Sequence, residues 1–166
     1  GYAGDRVTAW LHPELDPGDT GYQILQSLYA IGSGGLFGLG YGKSRQKYLY
    51  LPFQYNDYIF AVICEELGLV GAMAIVALFA VTILRGYWIA LNARDRFSTV
   101  LAAGLVTLIA VQTILNLCVV TNLLPSTGIA LPFFSYGGTA LAVNLGEMGI
   151  VLGISRGRNR RKIQEA

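Results

Sequence analysis

The chain has 166 residues, of which 54% are hydrophobic and 13% are charged. Soluble domains carry about 25% charged residues, so this composition indicates a membrane protein and argues against a soluble globular domain. The formal net charge is only +2, and its distribution along the chain is more informative than its size. Cys64 and Cys118 lie in apolar runs without a CxxC or Cys/His cluster, which predicts small buried side chains.

Residues 1–57 precede the first long apolar run and have the signals of a structured loop. The stretch DPGDTGYQ combines Asp, Pro and Gly in a turn signal. After it, aromatic and apolar side chains recur at helical spacing, namely Tyr22, Leu25, Leu28 and Tyr29. Thr20 can cap this helix, and Gly34 or Gly35 can end it. We therefore predict a short amphipathic helix that lies on the membrane surface or packs on the helix bundle.

A glycine-rich stretch, GSGGLFGLGYGKS, follows this helix. A Walker A phosphate loop would need glycine where this chain has Phe37, so nucleotide binding of that type is excluded. Backbone amides in such a loop can still hold an anion when Lys and Arg are nearby. A plain flexible loop is the alternative.

Three segments are long and apolar enough to cross a bilayer, which takes about 20 mostly apolar residues. They cover residues 58–84, 98–120 and 135–154, and the third is the weakest because it contains Asn144 and Glu147. The expected fold is therefore an all-α integral membrane protein.

The basic residues predict the orientation of these spans. The 85–97 loop and the tail at residues 156–166 are rich in arginine, whereas the 121–134 loop has no charge. Basic loops face the cytoplasm, so residues 1–57 and the 121–134 loop should face outward. Lys43, Arg45 and Lys47 do not fit this pattern, which suggests that they have another role.

Two long stretches resemble the SEDS family, the FtsW, RodA and SpoVE proteins of bacterial division, elongation and sporulation. One is KYLYLPFQYNDYIFAVICEELGLVGA, together with the loop before it, and the other is LLPSTGIALPFFSYGGTALAVNLGEMGIVLGISR. The resemblance covers nearly the whole chain. It implies that the chain supplies the last three helices of a longer polytopic bundle, preceded by a large extracytoplasmic loop.

The resemblance also implies a function. Family members are peptidoglycan glycosyltransferases of the bacterial plasma membrane, which polymerise lipid II and work with a class B penicillin-binding protein. No nucleic-acid partner is expected. Three spans without the rest of the bundle are expected to be inactive, and the motifs do not distinguish division from cell shape or sporulation.

Site residues follow from the same motifs. The family's essential aspartate lies in a motif that reads NDYIFA here, which assigns catalysis to Asp57. The loop motif, the basic residues around it and the arginine that opens the loop give the expected substrate-binding residues, which are Arg6, Lys43, Ser44, Arg45, Gln46 and Lys47. The EELG and SYGG motifs give accessory candidates, which are Glu65, Glu66 and Ser135.

The chemistry is consistent with these residue types. A sugar hydroxyl that attacks the anomeric carbon of a lipid-pyrophosphate-linked sugar needs a base, and a carboxylate suffices. The pyrophosphate leaving group needs cations, which Lys43, Arg45 and Lys47 can supply. Each residue also has a structural alternative: Asp57 as a helix N-cap, the glutamates as ion-pair partners, and the basic residues as snorkelling side chains.

Departures from the family pattern leave some points open. Many relatives have Glu in place of Phe53 and some have an acid in place of Leu49, so the metal site is unknown and a divalent cation stays open as a cofactor. Glu147 is unusual for the family and would favour a lipid II flippase. A non-catalytic divisome scaffold is the third alternative. The intact motif around Asp57 favours the enzyme.

Overall fold

The computed structural model describes residues 2–13, 20–40, 42–43 and 57–164. Its regular elements are five helices: α1 (Tyr2–Leu11), α2 (Thr20–Ser33), α3 (Ile59–Leu91), α4 (Arg96–Val120) and α5 (Gly138–Gln164). These described ranges contain no β-strand. Three helical segments are long and apolar enough to cross a membrane, Ile59–Leu91, Arg96–Val120 and Gly138–Gly157. The predicted all-α class with three spans is confirmed.

The helix ends differ from the predicted spans in places with local causes. α3 continues past Arg85 to Leu91, and the Arg85 guanidinium lies 4.5 Å from the centre of the Trp88 ring in the next turn. α5 begins only at Gly138, and the Ser135 hydroxyl accepts a hydrogen bond from the Leu131 N–H (2.7 Å) in the preceding turn. α5 then runs to Gln164, so most of the predicted tail at residues 156–166 is helical.

The predicted amphipathic helix is present as α2, and the side chains that it buries most completely are not the four whose spacing predicted it. Ile24, Ser27 and Ala30 are at most 1% exposed, whereas Tyr29 is 60% exposed. The Ser27 hydroxyl donates to the Ile24 carbonyl (2.8 Å) and lies 3.4 Å from the Val120 carbonyl at the end of α4. Small side chains allow this close approach, which apolar periodicity alone does not reveal.

α3 is broken at Gly68, where φ is 68° and ψ is −169°. The break frees carbonyls before it and N–H groups after it, and each would be costly to leave unpaired in lipid. The glycine loop (residues 34–40) pairs with both sets. The four bonds are Leu39 N–H to Glu65 O (2.9 Å), Gly40 N–H to Glu66 O (3.1 Å), Leu69 N–H to Gly35 O (2.9 Å) and Val70 N–H to Leu36 O (3.2 Å).

The glycine loop is thus fixed to α3 by backbone hydrogen bonds and is not a plain flexible loop. Its amides at Gly38, Leu39 and Gly40 all donate to backbone carbonyls, so these three amides do not form the predicted anion site. Gly38 has a φ of +78°, and a Cβ there would collide with the carbonyl of Glu66. Only glycine allows the loop to approach α3 this closely.

Candidate functional site

Asp57 lies in the turn immediately before α3 and is half-buried. Tyr58, not Asp57, occupies the N-cap position of α3, so the N-cap alternative for Asp57 is wrong. The Asp57 carboxylate instead faces the 121–137 loop, where a Cβ added to Gly128 would lie 3.7 Å from Oδ2. The Asp57 side chain is therefore directed toward a loop that is distant in sequence and not toward the first turn of its own helix.

The environment of Asp57 makes its carboxylate a stronger base than a solvated one. Burial raises the pKa of the Asp57 carboxyl above its ordinary value, and the positive charge of Arg6 partly opposes that rise. Burial also raises the pKa of the neighbouring Tyr58 phenol, so this group is protonated. The Tyr58 hydroxyl lies near the Ser126 side chain, but within the described part of the chain it makes no hydrogen bond of ordinary length.

Arg6 reaches the site from α1, a helix that the sequence did not predict. Its guanidinium Nη1 donates to the Ser126 carbonyl (2.9 Å), and the Trp10 indole Nε1 donates to the Asn122 carbonyl (3.0 Å). Residues four apart share one helix face, so the spacing of Arg6 and Trp10 is the signal that could have revealed α1. This helix attaches to the 121–137 loop and places Arg6 close enough for its charge to lower the pKa of the Asp57 carboxyl. The predicted role of Arg6 in substrate binding stays a prediction.

Asn116 also contacts the Asp57 turn and was not singled out from the sequence. It is 1% exposed on α4, and its amide donates to the carbonyls of both Asp57 and Ile129 at 2.8 Å. A polar residue in an apolar span is the signal that could have identified it.

The other sequence-predicted residues are placed differently. Lys43 is exposed, and its N–H donates to the Gly40 carbonyl (3.1 Å) at the end of the glycine loop. Ser44, Arg45, Gln46 and Lys47 lie outside the described residues, so the predicted pyrophosphate-binding group stays a prediction.

The accessory candidates have structural contacts. Glu65 and Glu66 are 1% and 7% exposed at the break in α3, and their backbone carbonyls bind the glycine loop. The Glu66 Oε1 atom is buried without a hydrogen-bond partner among the described residues. Ser135 stabilises the turn before α5.

No three His, Cys, Asp or Glu side chains converge on a metal site in the described ranges. The described acidic side chains around Asp57 therefore do not by themselves form a metal-binding set.

A cavity of about 470 Å³ lies between α4, the 121–137 loop and α5. Its lining combines apolar side chains with three polar ones and includes Gln112, Ile129, Ala130, Thr139, Val143 and Asn144. Ile129 follows Gly128, so the cavity and the Asp57 site share one stretch of the loop. An amphipathic lining of this kind suits a ligand that has both an apolar and a polar part.

The chain is similar to proteins of bacterial wall synthesis and sporulation. A family model for cell cycle proteins of the FtsW, RodA and SpoVE type matches residues 1–160. Stage V sporulation protein E of Bacillus subtilis is 50% identical over 155 residues, which cover 93% of this chain and 42% of that protein. A probable peptidoglycan glycosyltransferase FtsW of Geobacter metallireducens is 48% identical over 154 residues, with 93% and 41% covered.

Solved structures show the same similarity. A chain of a peptidoglycan synthase complex that coordinates polymerization and crosslinking superposes with a TM-score of 0.76 at 30% identity, over 95% of this chain and 42% of that one. A mutant of the rod shape determining protein RodA of Thermus thermophilus gives a TM-score of 0.61 at 32% identity, over 80% and 40%. The chain thus spans about two fifths of the length of the relatives that it matches.

Proposed function

Because the chain belongs to the FtsW/RodA/SpoVE family of multi-pass membrane proteins, we propose that this protein is a peptidoglycan glycosyltransferase that polymerises lipid II. The observation that carries the proposal is Asp57. It is the aspartate of the NDYIFA motif, it is not used as a helix cap, and burial raises the pKa of its carboxyl. These properties support the role of a general base for Asp57.

In the proposed reaction Asp57 accepts the proton of an acceptor sugar hydroxyl. The hydroxyl oxygen forms a bond to the anomeric carbon of the donor sugar, and the bond from that carbon to the lipid pyrophosphate breaks. The pyrophosphate leaves with the electron pair of the broken bond. A carboxyl whose pKa is raised toward the working pH gives a stronger base while it is still ionised, and general-base catalysis contributes about 10²–10⁴-fold.

Arg6 has two roles in this proposal. The charge of its guanidinium lowers the pKa of the Asp57 carboxyl and so favours the ionised form, and its bond to the Ser126 carbonyl holds the 121–137 loop against α1. The basic residues of the 43–47 stretch remain the proposed counter-charges of the pyrophosphate. The amphipathic cavity beside Ile129 is the proposed place for part of the lipid-linked substrate.

The proposed setting is the outer face of the bacterial plasma membrane, with a class B penicillin-binding protein as partner. The charge pattern of the loops supports the orientation. The similarity to a chain of a peptidoglycan synthase complex supports the partner.

The test is polymerisation of purified lipid II by the full-length protein in complex with its penicillin-binding protein, with transpeptidation blocked. Asp57→Asn keeps the shape of the side chain and removes the base, so glycan product should fall by about 10²–10⁴-fold. Asp95→Asn is the matched control, because Asp95 is a true N-cap and Asn caps helices about as well as Asp. Near-normal product from Asp57→Asn would refute the assignment of the base.

A lipid II transporter is the second candidate, and Glu147 is the observation in its favour. Its Oε2 atom is buried without a hydrogen-bond partner among the described residues, and it lies within a candidate membrane span. Acids inside membrane spans are often functional. Glu147→Gln should leave polymerisation intact if the protein is only a polymerase, and it should abolish lipid II movement in vesicles if the protein is a transporter.

A further inference from the structure

One amide group joins three separate parts of the bundle near Asp57. The Asn116 Nδ2 of α4 donates to the carbonyl of Asp57, 59 residues earlier, and to the carbonyl of Ile129, 13 residues later, both at 2.8 Å. Since both partners are acceptors, the amide nitrogen and not the amide oxygen must face them. Asn116 therefore bridges α4, the Asp57 turn and the 121–137 loop.

Thr113, one turn earlier on the same helix, shows that burial alone does not produce such a bridge. It is 3% exposed, yet its hydroxyl donates only to the Ile109 carbonyl of its own helix, at 2.8 Å. Asn116 is equally buried, and its Oδ1 has no hydrogen-bond partner in the described part of the chain. A buried amide with one group unsatisfied is costly, and the two tertiary bonds of the Nδ2 atom offset part of that cost.

We propose that Asn116 is the positioning residue of Asp57. Its forked N–H₂ group holds the backbone of the Asp57 turn against Ile129, and this keeps the carboxylate directed at Gly128 and near Arg6. Asn116 does not contact the substrate in this proposal, and it acts through the position of Asp57. The kinetic consequence depends on the proposed function, whereas the positional consequence does not.

The kinetic test uses the full-length protein with its penicillin-binding protein and purified lipid II. Asn116→Leu keeps the approximate size and removes both donors, and Asn116→Asp keeps the shape but is an acceptor when ionised. A misplacement of about 1 Å can reduce the rate about 10²-fold, so kcat should fall by about that factor with little change in KM. Thr113→Val is the matched control, since its hydroxyl serves only its own helix, and kcat should stay within about twofold.

The positional test does not depend on catalysis. In a protein with Cys64 and Cys118 replaced by alanine, Asp57→Cys is labelled by a membrane-impermeant maleimide, alone and together with Asn116→Leu or Asn116→Asp. Loss of the tether should raise the labelling rate by about tenfold or more. That factor corresponds to a decrease of roughly 1.4 kcal/mol in the free energy of local opening. Thr113→Val should leave the rate unchanged. Thermal unfolding of each variant identifies loss of fold, and Asn116→Asp then takes the place of a misfolded Asn116→Leu.

The outcomes separate the two proposals. Faster labelling together with a lower kcat supports the positioning role. Unchanged labelling in folded variants overturns it, even if kcat falls. If Asp57→Asn polymerises normally while Asn116→Leu still accelerates labelling, the positioning role stands and the assignment of the base fails.

Discussion

Asp57 and Asp95 each precede a membrane-spanning helix by one or two residues, and they are used in opposite ways. Asp95 is exposed and caps α4 by accepting hydrogen bonds from the N–H and hydroxyl of Ser98, both at 2.9 Å. These bonds lower the pKa of its carboxyl. Asp57 precedes α3, caps nothing there, and has a carboxyl pKa that burial raises.

The two ends of the bundle differ in the same way as the two aspartates. Around Asp95 the contacts described above are local in sequence. Around Asp57 they come from elements far apart in sequence: Asn116 of α4 binds its backbone carbonyl, Gly128 lies opposite its carboxylate, and the charge of Arg6 on α1 acts on its pKa. The Asp95 carboxylate uses its lone pairs on its own helix and so stabilises local structure. At Asp57 a distant side chain binds the backbone carbonyl and leaves the carboxylate directed toward Gly128. The following predictions test this difference, from the largest expected effect to the smallest.

The largest contrast should come from removal of each carboxylate. Asp57→Ala should lower lipid II polymerisation by about 10²–10⁴-fold with a small change in melting temperature. Asp95→Ala should leave the polymerisation rate near normal and lower the melting temperature, because it removes only a cap. Polymerisation assays and thermal unfolding of the two full-length variants measure both effects. Equal rates for the two variants would mean that Asp57 is not a catalytic base.

The next effect concerns the glycine loop at the break in α3. Gly38→Ala combines a positive φ with a collision against the Glu66 carbonyl, and we expect it to destabilise the protein by roughly 1–3 kcal/mol. Gly104→Ala is the control, because a Cβ there meets open space among the described atoms and alanine favours a helix. Chemical denaturation of both variants checks this. If Gly38→Ala is as stable as Gly104→Ala, the loop does not depend on the close approach.

A smaller effect is expected in the pH dependence of polymerisation. Arg6 lowers the pKa of Asp57 against the larger effect of burial, so Arg6→Met should raise that pKa. The base must be ionised to act, so the rate falls as the pH drops through its pKa, and the acidic limb of the rate profile should move to higher pH. Arg6→Lys retains the charge and should leave the limb close to its original position. A limb that moves equally in both variants would indicate that geometry and not charge is responsible.

The smallest effect concerns the pH dependence of stability at the Asp95 end. Since folding lowers the pKa of Asp95, its contribution is fully present above its unfolded pKa and is lost as the pH falls through its folded value. Asp95→Asn caps without titrating, so its stability should depend less on pH in that acidic range. The comparison is thermal unfolding of the wild type and Asp95→Asn across that range. Identical pH dependence in the two proteins would show that ionisation of Asp95 does not contribute to stability.

The sequence predicted the three spans well because about 20 apolar residues in succession have few other stable arrangements. It was less successful with short elements. The helix α1 was not predicted. Its side chains Arg6 and Trp10 bind a loop more than a hundred residues later in the chain, and a local sequence pattern does not reveal such contacts. The helix α2 was predicted, but the sequence did not single out the side chains that the fold buries most completely there, which are Ile24, Ser27 and Ala30. The glycine loop was read as an anion site or a flexible segment, and its actual partner, the break at Gly68, lies in another helix.

For the candidate site, the motif around Asp57 singled out the residue as a prediction but gave no information on its environment. The structure shows that Tyr58 and not Asp57 takes the N-cap position. The raised pKa of Asp57 and its hydrogen bond from Asn116 depend on groups that only the fold brings together. The roles of the basic residues at positions 45 and 47 stay predictions.

The sequence by itself determined the membrane class, the number of long helices and the family, because hydropathy and ordered motifs are properties of short stretches of chain. Only the tertiary structure decided which aspartate caps a helix and which faces a site. That difference depends on desolvation and on hydrogen bonds between residues as far apart as Arg6 and Ser126, and such interactions exist only after the helices have packed.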